Sequence, residues 1–140
     1  MKRIILFIFI IGAVSLSNCQ KTPNEHLVPA VRVDINLSTN LPQYNNLNFI
    51  NGWIYLDGGY NGIIAYRVNH EEVKAYDRQA PYQVSNKCKV IVDTGSTSCT
   101  DTCSGSQWLL LDGQVLNGPA SQPLRTYNTS FDGSNLIITN

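Results

Sequence analysis

The chain has 140 residues with ten basic and ten acidic side chains, so its formal net charge is zero. This length is enough for one domain. The balanced charge argues against a nucleic-acid partner, because nucleic acids bind to strongly basic surfaces.

The N-terminus has the pattern of a secretory signal peptide. Three residues at 1–3, Met-Lys-Arg, place positive charge ahead of an apolar run at 4–16. This run is shorter than the ~20 apolar residues of a membrane-spanning helix. The next residues, Leu-Ser-Asn-Cys at 16–19, resemble the lipobox of bacterial lipoproteins, in which the cysteine is lipidated. We therefore expect residues 1–18 to be removed and Cys19 to anchor the protein to a bacterial membrane, facing the periplasm or the cell surface.

The alternative is ordinary secretion with cleavage elsewhere, which leaves Cys19 unmodified. Cleavage before Cys19 leaves 122 residues with eight basic and ten acidic side chains. Residues 19–30 contain two prolines and no periodic pattern, which predicts a flexible tether that lifts the domain off the membrane. His26 lies in this tether and is interpreted as a solvated linker residue. Residues 31–140 are predicted to form the folded domain.

From residue 31 onward the pattern predicts an all-β fold. Residues 31–37 alternate apolar and polar side chains, as in a strand with one buried face. Further apolar or β-branched runs lie at 53–56, 63–68, 73–76, 89–92, 108–111 and 136–139. Turn compositions separate these runs, and no segment has the apolar stripe of a helix. Short strands at this spacing predict an antiparallel β sandwich or small barrel.

The run at 90–97, Val-Ile-Val-Asp-Thr-Gly-Ser-Thr, matches the way an aspartic protease presents its catalytic carboxylate. Such a protease needs two carboxylates that share one proton, so one motif would require a dimer or a second copy. There is no second copy, and the 44 residues after Ser96 are too few for the rest of that site. We therefore interpret the run as a hairpin turn, with Asp93 ending a strand and Gly95 free to take a positive φ.

Several motifs around this turn occur in an order that resembles the Rieske domain family. In that family a CxH loop precedes a CPxHGSxF loop, an Asp-Gly turn, a Gly-Pro-Ala loop and a Leu-x-x-Tyr strand. The resemblance covers about residues 63–140 and implies an antiparallel β sandwich with a small cluster-binding loop subdomain at one tip. The matching segments here are Ala-Tyr-Asp-Arg-Gln-Ala-Pro-Tyr at 75–82, Cys-Ser-Gly-Ser-Gln-Trp at 103–108, Leu-Asp-Gly at 111–113, Gly-Pro-Ala at 118–120, Pro-Leu at 123–124 and Tyr127.

The main departures concern the ligands of the two-iron two-sulfur cluster, which in the family are two cysteines and two histidines. The resemblance places the first cysteine and histidine at Ala80 and Tyr82, and the second pair at Asp101 and Ser104. The histidine outside the tether, His70, lies in a turn away from these loops. We therefore expect a domain that keeps the fold and lacks the cluster, with no cofactor, no bound metal and no enzymatic activity.

Three further cysteines, Cys88, Cys99 and Cys103, have a spacing that is a weak metal signal. In an exported bacterial protein a disulfide is better supported. Many Rieske proteins join their two cluster loops by a disulfide with one member two residues before Gly-Ser, where Cys103 stands. The resemblance thus implies Cys88 as its partner, closing a loop of about 15 residues that contributes about 3 kcal/mol. The pairing of Cys99 with Cys103 is the alternative, and either pairing leaves one thiol.

The first functional hypothesis is a lipid-anchored, non-catalytic binding module in the cell envelope. The former cluster tip, residues 78–85 against 97–108, would then contact another envelope protein. Aromatic side chains often carry interface energy, so Tyr82 and Trp108 are the candidate contact residues. Trp108 also stands where the family has a core aromatic, so a core position is its alternative.

The second hypothesis is redox activity. One form is an electron-transfer protein with an atypically ligated two-iron two-sulfur cluster, and the other is a thiol-based protein that uses Cys99. A reactive thiol needs nearby positive charge or a helix N-terminus. The nearest basic residues, Lys87 and Lys89, flank Cys88 and not Cys99.

Overall fold

The computed structural model describes residues 28–140. The predicted signal peptide at 1–18, the lipidation site Cys19 and most of the tether, including His26, lie outside the described residues. Among residues 28–140, none of the helices has the length and apolar character needed to cross a bilayer.

Residues 28–140 form two antiparallel β-sheets, the larger of which curls into a half-barrel. The elements, with two short 3₁₀ helices labelled η, are β1 Asp34–Ser38, η1 Pro42–Asn48, β2 Trp53–Leu56, β3 Ile63–Arg67, β4 Val73–Asp77, η2 Val84–Asn86, β5 Val90–Val92, β6 Ser98–Asp101, β7 Gln107–Leu109, β8 Val115–Asn117, β9 Thr126–Phe131 and β10 Asn135–Thr139. The six-stranded sheet has the order β1-β10-β9-β4-β3-β2, and the four-stranded sheet has the order β5-β6-β7-β8.

The larger sheet buries a first core, to which all six of its strands contribute. Strands β1 and β10 pair in antiparallel register, with Leu37 opposite Leu136. In β10, Leu136 and Ile138 are buried and Ile137 is exposed. This is the period-two alternation of a strand with one buried face. The predicted all-β fold is confirmed.

A second core lies between β3, β4 and the smaller sheet. Strand β3 is buried along its whole length. Because successive side chains of a strand point to opposite faces, Ile63 and Ala65 pack into the first core, and Ile64 and Tyr66 into the second. Tyr76 of β4 also enters the second core, and its hydroxyl donates a hydrogen bond to the Leu110 carbonyl at 3.0 Å. The two sheets are therefore joined through β3 and β4.

Strands β6, β8 and β9 and the helix η1 were not among the predicted elements. Strands β6 and β9 are rich in hydroxyl and amide side chains, and β8 has three residues, so none carries an apolar run. Their partners hold them in the sheets, since β9 lies between β10 and β4 and β6 lies between β5 and β7. Tertiary pairing here overrides weak local preference.

The aspartic-protease-like run forms the β5–β6 hairpin. The Ser96 N–H donates to the Asp93 carbonyl at 2.9 Å. The positive φ of 57° falls on Ser96 and not on Gly95, so the predicted conformation of Gly95 was wrong. The Asp93 carboxylate accepts hydrogen bonds from the hydroxyls of Ser98 at 2.5 Å and Thr100 at 2.7 Å. Asp93 therefore stabilises its own hairpin.

Candidate functional site

Three loops meet at one end of the second core and enclose a cavity of about 300 Å³. We call this region the tip, and define its first loop as residues 78–88, its second as 101–106 and its third as 117–120. The cavity is lined by Tyr82, Gln83, Asn86, Cys88, Asp101, Cys103, Ser104 and Pro119.

The structure brings together three of the four positions at which the resemblance placed cluster ligands. Tyr82, Asp101 and Ser104 line the cavity. Ala80 is fully buried in the second core, where its N–H donates to the Cys88 carbonyl at 2.9 Å. His70 lies in the β3–β4 turn, at the opposite end of that hairpin from the tip.

A buried polar network holds the first loop on the larger sheet. The Asn61 amide donates to the Gln79 side-chain oxygen at 3.1 Å and to the Lys87 carbonyl at 2.9 Å. The Gln79 amide donates in turn to the Ala80 carbonyl at 3.0 Å and the Val84 carbonyl at 3.4 Å. These bonds fix both ends of the first loop, four residues of which line the cavity.

The centre of this network is the Asp77 carboxylate, which is fully buried at the end of β4. It accepts hydrogen bonds from the backbone N–H groups of Tyr60 at 2.6 Å, Asn61 at 3.2 Å and Gln79 at 2.7 Å. The Tyr127 hydroxyl donates a fourth at 2.6 Å. Burial first, and then the hydrogen bond to Asp77, raise the pKa of the Tyr127 hydroxyl. This network is not predicted from the sequence, although Tyr127 belongs to the Leu-x-x-Tyr segment of the resemblance.

The second loop folds around the carboxylate of Asp101, which is 1% exposed. This carboxylate accepts hydrogen bonds from the Cys103 N–H at 3.0 Å, the Ser104 N–H at 3.2 Å and the Ser104 hydroxyl at 2.5 Å. An aspartate that accepts from the backbone two residues later forms a turn of its own. Asp101 therefore organises the loop in which the family places a cysteine ligand.

The third loop rests directly on the second. The Ala120 N–H donates to the Ser106 hydroxyl at 3.1 Å. Gly118 has a φ of +114°, and a Cβ atom at this position would lie 2.7 Å from Ser106 Oγ and 2.8 Å from Ser106 Cβ. The two motifs that carried most of the resemblance, Gly-Ser at 105–106 and Gly-Pro-Ala at 118–120, thus contact each other.

A disulfide between Cys88 and Cys103 joins the first loop to the second, with a Cα–Cα distance of 6.1 Å. This is the pairing that the resemblance implied, and the alternative between Cys99 and Cys103 does not form. Cys88 is buried, whereas Cys103 is exposed, and both line the cavity. The disulfide therefore closes one side of the cavity and joins a buried residue to an exposed one.

The residues at the tip do not fit a Rieske cluster. Such a cluster needs two thiolates and two imidazoles, whereas the four corresponding positions offer a methyl, a phenol, a carboxylate and a hydroxyl. The Asp101 carboxylate already accepts three hydrogen bonds from its own loop. The two nearby sulfurs, of Cys88 and Cys103, are bonded to each other.

Two residues singled out from the sequence are core residues. Trp108 is fully buried, and its indole N–H donates to the Gln122 carbonyl at 2.9 Å. The interpretation of Trp108 as a contact residue was therefore wrong, and its alternative, a core aromatic, is what the structure shows. Cys99 is also fully buried, because β6 points it into the second core.

Cys99 is expected to be an inert thiol, which contradicts the thiol-based redox hypothesis. Burial raises the pKa of Cys99 to about 12, the negative charge of Asp93 adds to this rise, and the Trp108 backbone N–H opposes it. At neutral pH the thiolate that reacts is therefore scarce.

In a Cys19→Ser background, a disulfide reagent should leave native Cys99 unmodified and should modify it in denaturant. An added Thr97→Cys thiol, at an exposed position beside β6, should react at once. Rapid reaction of native Cys99 would overturn this assignment.

Comparisons with solved structures identify the fold. The plasma-membrane Rieske protein PetC3 from the cyanobacterium Synechocystis PCC 6803 is 21% identical, with a TM-score of 0.52 over 63% of this chain and 86% of that chain. The ferredoxin of carbazole 1,9a-dioxygenase from Nocardioides aromaticivorans IC177 is 13% identical, with a TM-score of 0.48 over 65% of this chain and 86% of that chain. A complex of reduced oxygenase and oxidized ferredoxin in carbazole 1,9a-dioxygenase gives 10% identity and a TM-score of 0.49 over 79% of this chain and 94% of that chain.

No family model and no curated protein matches the sequence. The structural match to the Synechocystis protein agrees with the fold that the order of the loop motifs implied. Residues 28–140 therefore contain a domain with the Rieske-like fold.

Proposed function

We propose that this chain is a lipid-anchored protein of the cell envelope whose Rieske-like domain has lost the two-iron two-sulfur cluster. In this proposal the domain is a non-catalytic binding module. The observation that carries the proposal is the chemistry of the tip. Its loops retain their disulfide and their mutual contacts, while the four ligand positions hold Ala80, Tyr82, Asp101 and Ser104.

The residues at the former ligand positions support a tip that folds without a cluster. The Asp101 carboxylate accepts hydrogen bonds from the N–H groups of Cys103 and Ser104, which hold the second loop in place. Ala80 packs into the second core. A loop stabilised by its own carboxylate does not need a cluster to fold. Membrane attachment rests on the predicted lipidation of Cys19, and the Synechocystis neighbour, named as a plasma-membrane protein, is compatible with it.

The tip has the composition of a protein contact surface. Tyr82 is half-buried beside the cavity, with the exposed amide side chains of Gln83 and Asn86 next to it and exposed Pro119 across the opening. An aromatic residue surrounded by neutral polar groups is a common arrangement at protein interfaces. The proposed partner is another protein of the envelope that inserts a side chain into this cavity.

Tyr82→Ala is expected to weaken the association with an envelope partner by about 2 kcal/mol or more, as for an interface hot spot. The measurement is a quantitative affinity purification from envelope extracts, in which specifically retained proteins are compared between variants. Phe49→Ala is the matched control, since Phe49 is 63% exposed and lies beside Ser96, at the opposite end of the β5–β6 hairpin from the tip. The proposal predicts proteins lost with Tyr82→Ala and kept with Phe49→Ala. An identical set in both variants and the parent would contradict it.

The alternative function is electron transfer through an atypically ligated two-iron two-sulfur cluster. It would require the disulfide to open and a fourth ligand to join the sulfurs of Cys88 and Cys103 and the carboxylate of Asp101. Among residues 28–140 no imidazole reaches the tip, because His70 lies at the far end of the β3–β4 hairpin. The binding module therefore accounts better for the residues at the tip.

A further inference from the structure

The disulfide and the buried carboxylate of the second loop are close together in the tip. One ligand atom from each of Cys88, Cys103 and Asp101 lies within 4.8 Å of the other two. All three residues line the same cavity of about 300 Å³. In the oxidised protein the two sulfurs are bonded to each other, so this set offers no thiolate to a metal.

We propose that reduction of the Cys88–Cys103 disulfide converts the tip into a site for one zinc ion, held by the two thiolates and the Asp101 carboxylate. This inference goes beyond the binding function proposed above and requires no protein partner. It requires only that no iron-sulfur cluster fills the tip.

The conversion has two steps. A dithiol reductant gives two electrons and two protons to the sulfur–sulfur bond, which breaks to leave two thiols, and the reductant becomes a disulfide. Attack begins at Cys103, because this residue is exposed whereas Cys88 is buried. In the second step Zn²⁺ displaces one proton from each thiol, and both protons pass to water.

The distances suit this change without a rearrangement of the loops. Two thiolates bound to one tetrahedral zinc at ~2.3 Å each lie about 3.8 Å apart. The Cα atoms of Cys88 and Cys103 are 6.1 Å apart, so rotation of the two side chains is enough to separate the sulfurs. The carboxylate oxygen of Asp101 already lies within 4.8 Å of both.

The Asp101 carboxylate can accept a metal while keeping its present hydrogen bonds. A carboxylate has about four acceptor positions. Oδ1 accepts a hydrogen bond from the Cys103 N–H, and Oδ2 accepts two from Ser104. One acceptor position on Oδ1 therefore remains free for a metal ion. The three hydrogen bonds hold the carboxylate in a fixed orientation, as hydrogen bonds to metal-binding carboxylates commonly do.

The choice of metal follows from the donors. Two thiolates and one carboxylate suit Zn²⁺, which binds sulfur and oxygen ligands in tetrahedral geometry. Three protein ligands leave a fourth position, and the cavity has room for a water molecule there. Because zinc replaces two thiol protons, its affinity should fall as the pH is lowered.

The test uses Co²⁺ as a coloured substitute for zinc, added to the purified protein in a Cys19→Ser background. One sample is left oxidised, and the other is reduced with a phosphine. In this reduction the phosphine takes the oxygen atom of a water molecule and becomes a phosphine oxide, and the two hydrogens of that water give the two thiols. The reduced protein should bind about one Co²⁺ per chain, with thiolate-to-cobalt charge-transfer absorption that Zn²⁺ abolishes. Absence of this absorption after reduction, or equal absorption in the oxidised protein, would overturn the proposal.

Variants assign the ligands. Cys88→Ser should abolish the charge-transfer absorption, and Asp101→Asn should weaken metal binding by roughly tenfold or more. Two controls should bind as the parent does: Cys99→Ser, which removes the buried thiol, and Asp112→Asn, which removes an exposed carboxylate. Unchanged affinity in Asp101→Asn, or loss of the absorption in Cys99→Ser, would mean that other residues hold the metal. Reduction can also loosen the fold, which would lower the near-ultraviolet circular dichroism signal. Zn²⁺ should then restore this signal in the parent protein and not in the Cys88→Ser variant. If Zn²⁺ does not restore the signal in the parent, the proposal is contradicted.

Discussion

Replacing Asp77 by alanine is expected to lower the free energy of unfolding by about 3–5 kcal/mol. Four groups donate hydrogen bonds to this buried carboxylate: the backbone N–H groups of Tyr60, Asn61 and Gln79 and the hydroxyl of Tyr127. Alanine leaves these donors without an acceptor, and each unpaired buried polar group costs about 1–3 kcal/mol. The loss is a large fraction of the roughly 5–15 kcal/mol that stabilises a typical domain.

Urea unfolding followed by circular dichroism measures this loss. Asp57→Ala is the matched control, because Asp57 is an exposed carboxylate in the β2–β3 connection, the segment whose Tyr60 and Asn61 N–H groups bond to Asp77. It should change the free energy of unfolding by about 0.5 kcal/mol or less. Asp77→Ala should also speed hydrogen exchange in the first loop of the tip, since Asn61 and Gln79 hold that loop. Equal stability losses for the two variants would contradict the role given to Asp77.

Gly118→Ala is expected to lower the free energy of unfolding by about 2–4 kcal/mol, for two separate reasons. The φ of +114° at this position is strained for any residue with a side chain. The new methyl group would also press on Ser106, at 2.7 Å from its Oγ and 2.8 Å from its Cβ. The third loop must then move away from the second and lose the hydrogen bond from the Ala120 N–H to Ser106.

Gly133→Ala separates the cost of the positive φ from the cost of the contact with Ser106. Gly133 has a φ of +97° in the β9–β10 turn, and a Cβ atom there would have no neighbour within 4 Å. This control has the strained backbone without the contact, so it should cost only about 1–2 kcal/mol. The difference between the two variants measures how tightly the third loop packs on the second. Equal losses in urea unfolding would show that the contact with Ser106 is unimportant.

The strands that could be predicted from the sequence are those with apolar runs. Strand β3 is buried on both faces and β10 alternates buried and exposed residues, so each has a pattern that reflects its burial. Strand β6 could not be predicted in this way, because its residues are Ser-Cys-Thr-Asp and their pairing with β5 and β7 holds them in place. Period two within β6 does point Cys99 and Asp101 to the same buried side, but only once the strand is known.

The tip was predicted in part. The resemblance located the loops and implied the disulfide between Cys88 and Cys103, because short motifs mark those positions. It did not reveal the polar network of Asn61, Asp77 and Gln79, since nothing in the local sequence shows that an asparagine in one loop contacts a glutamine beyond the next hairpin. Such long-range polar contacts depend on the complete fold.

Assays of iron and acid-labile sulfide, together with a visible spectrum, show whether this domain has lost its cluster. It is made on the purified protein and again after anaerobic reconstitution with iron and sulfide. Acid-labile sulfide separates a true cluster from a single iron bound at a reduced tip. We expect no labile sulfide and no cluster absorbance in either sample. Stoichiometric iron and sulfide with the visible spectrum of a two-iron two-sulfur centre would contradict the claim that this domain has lost its cluster.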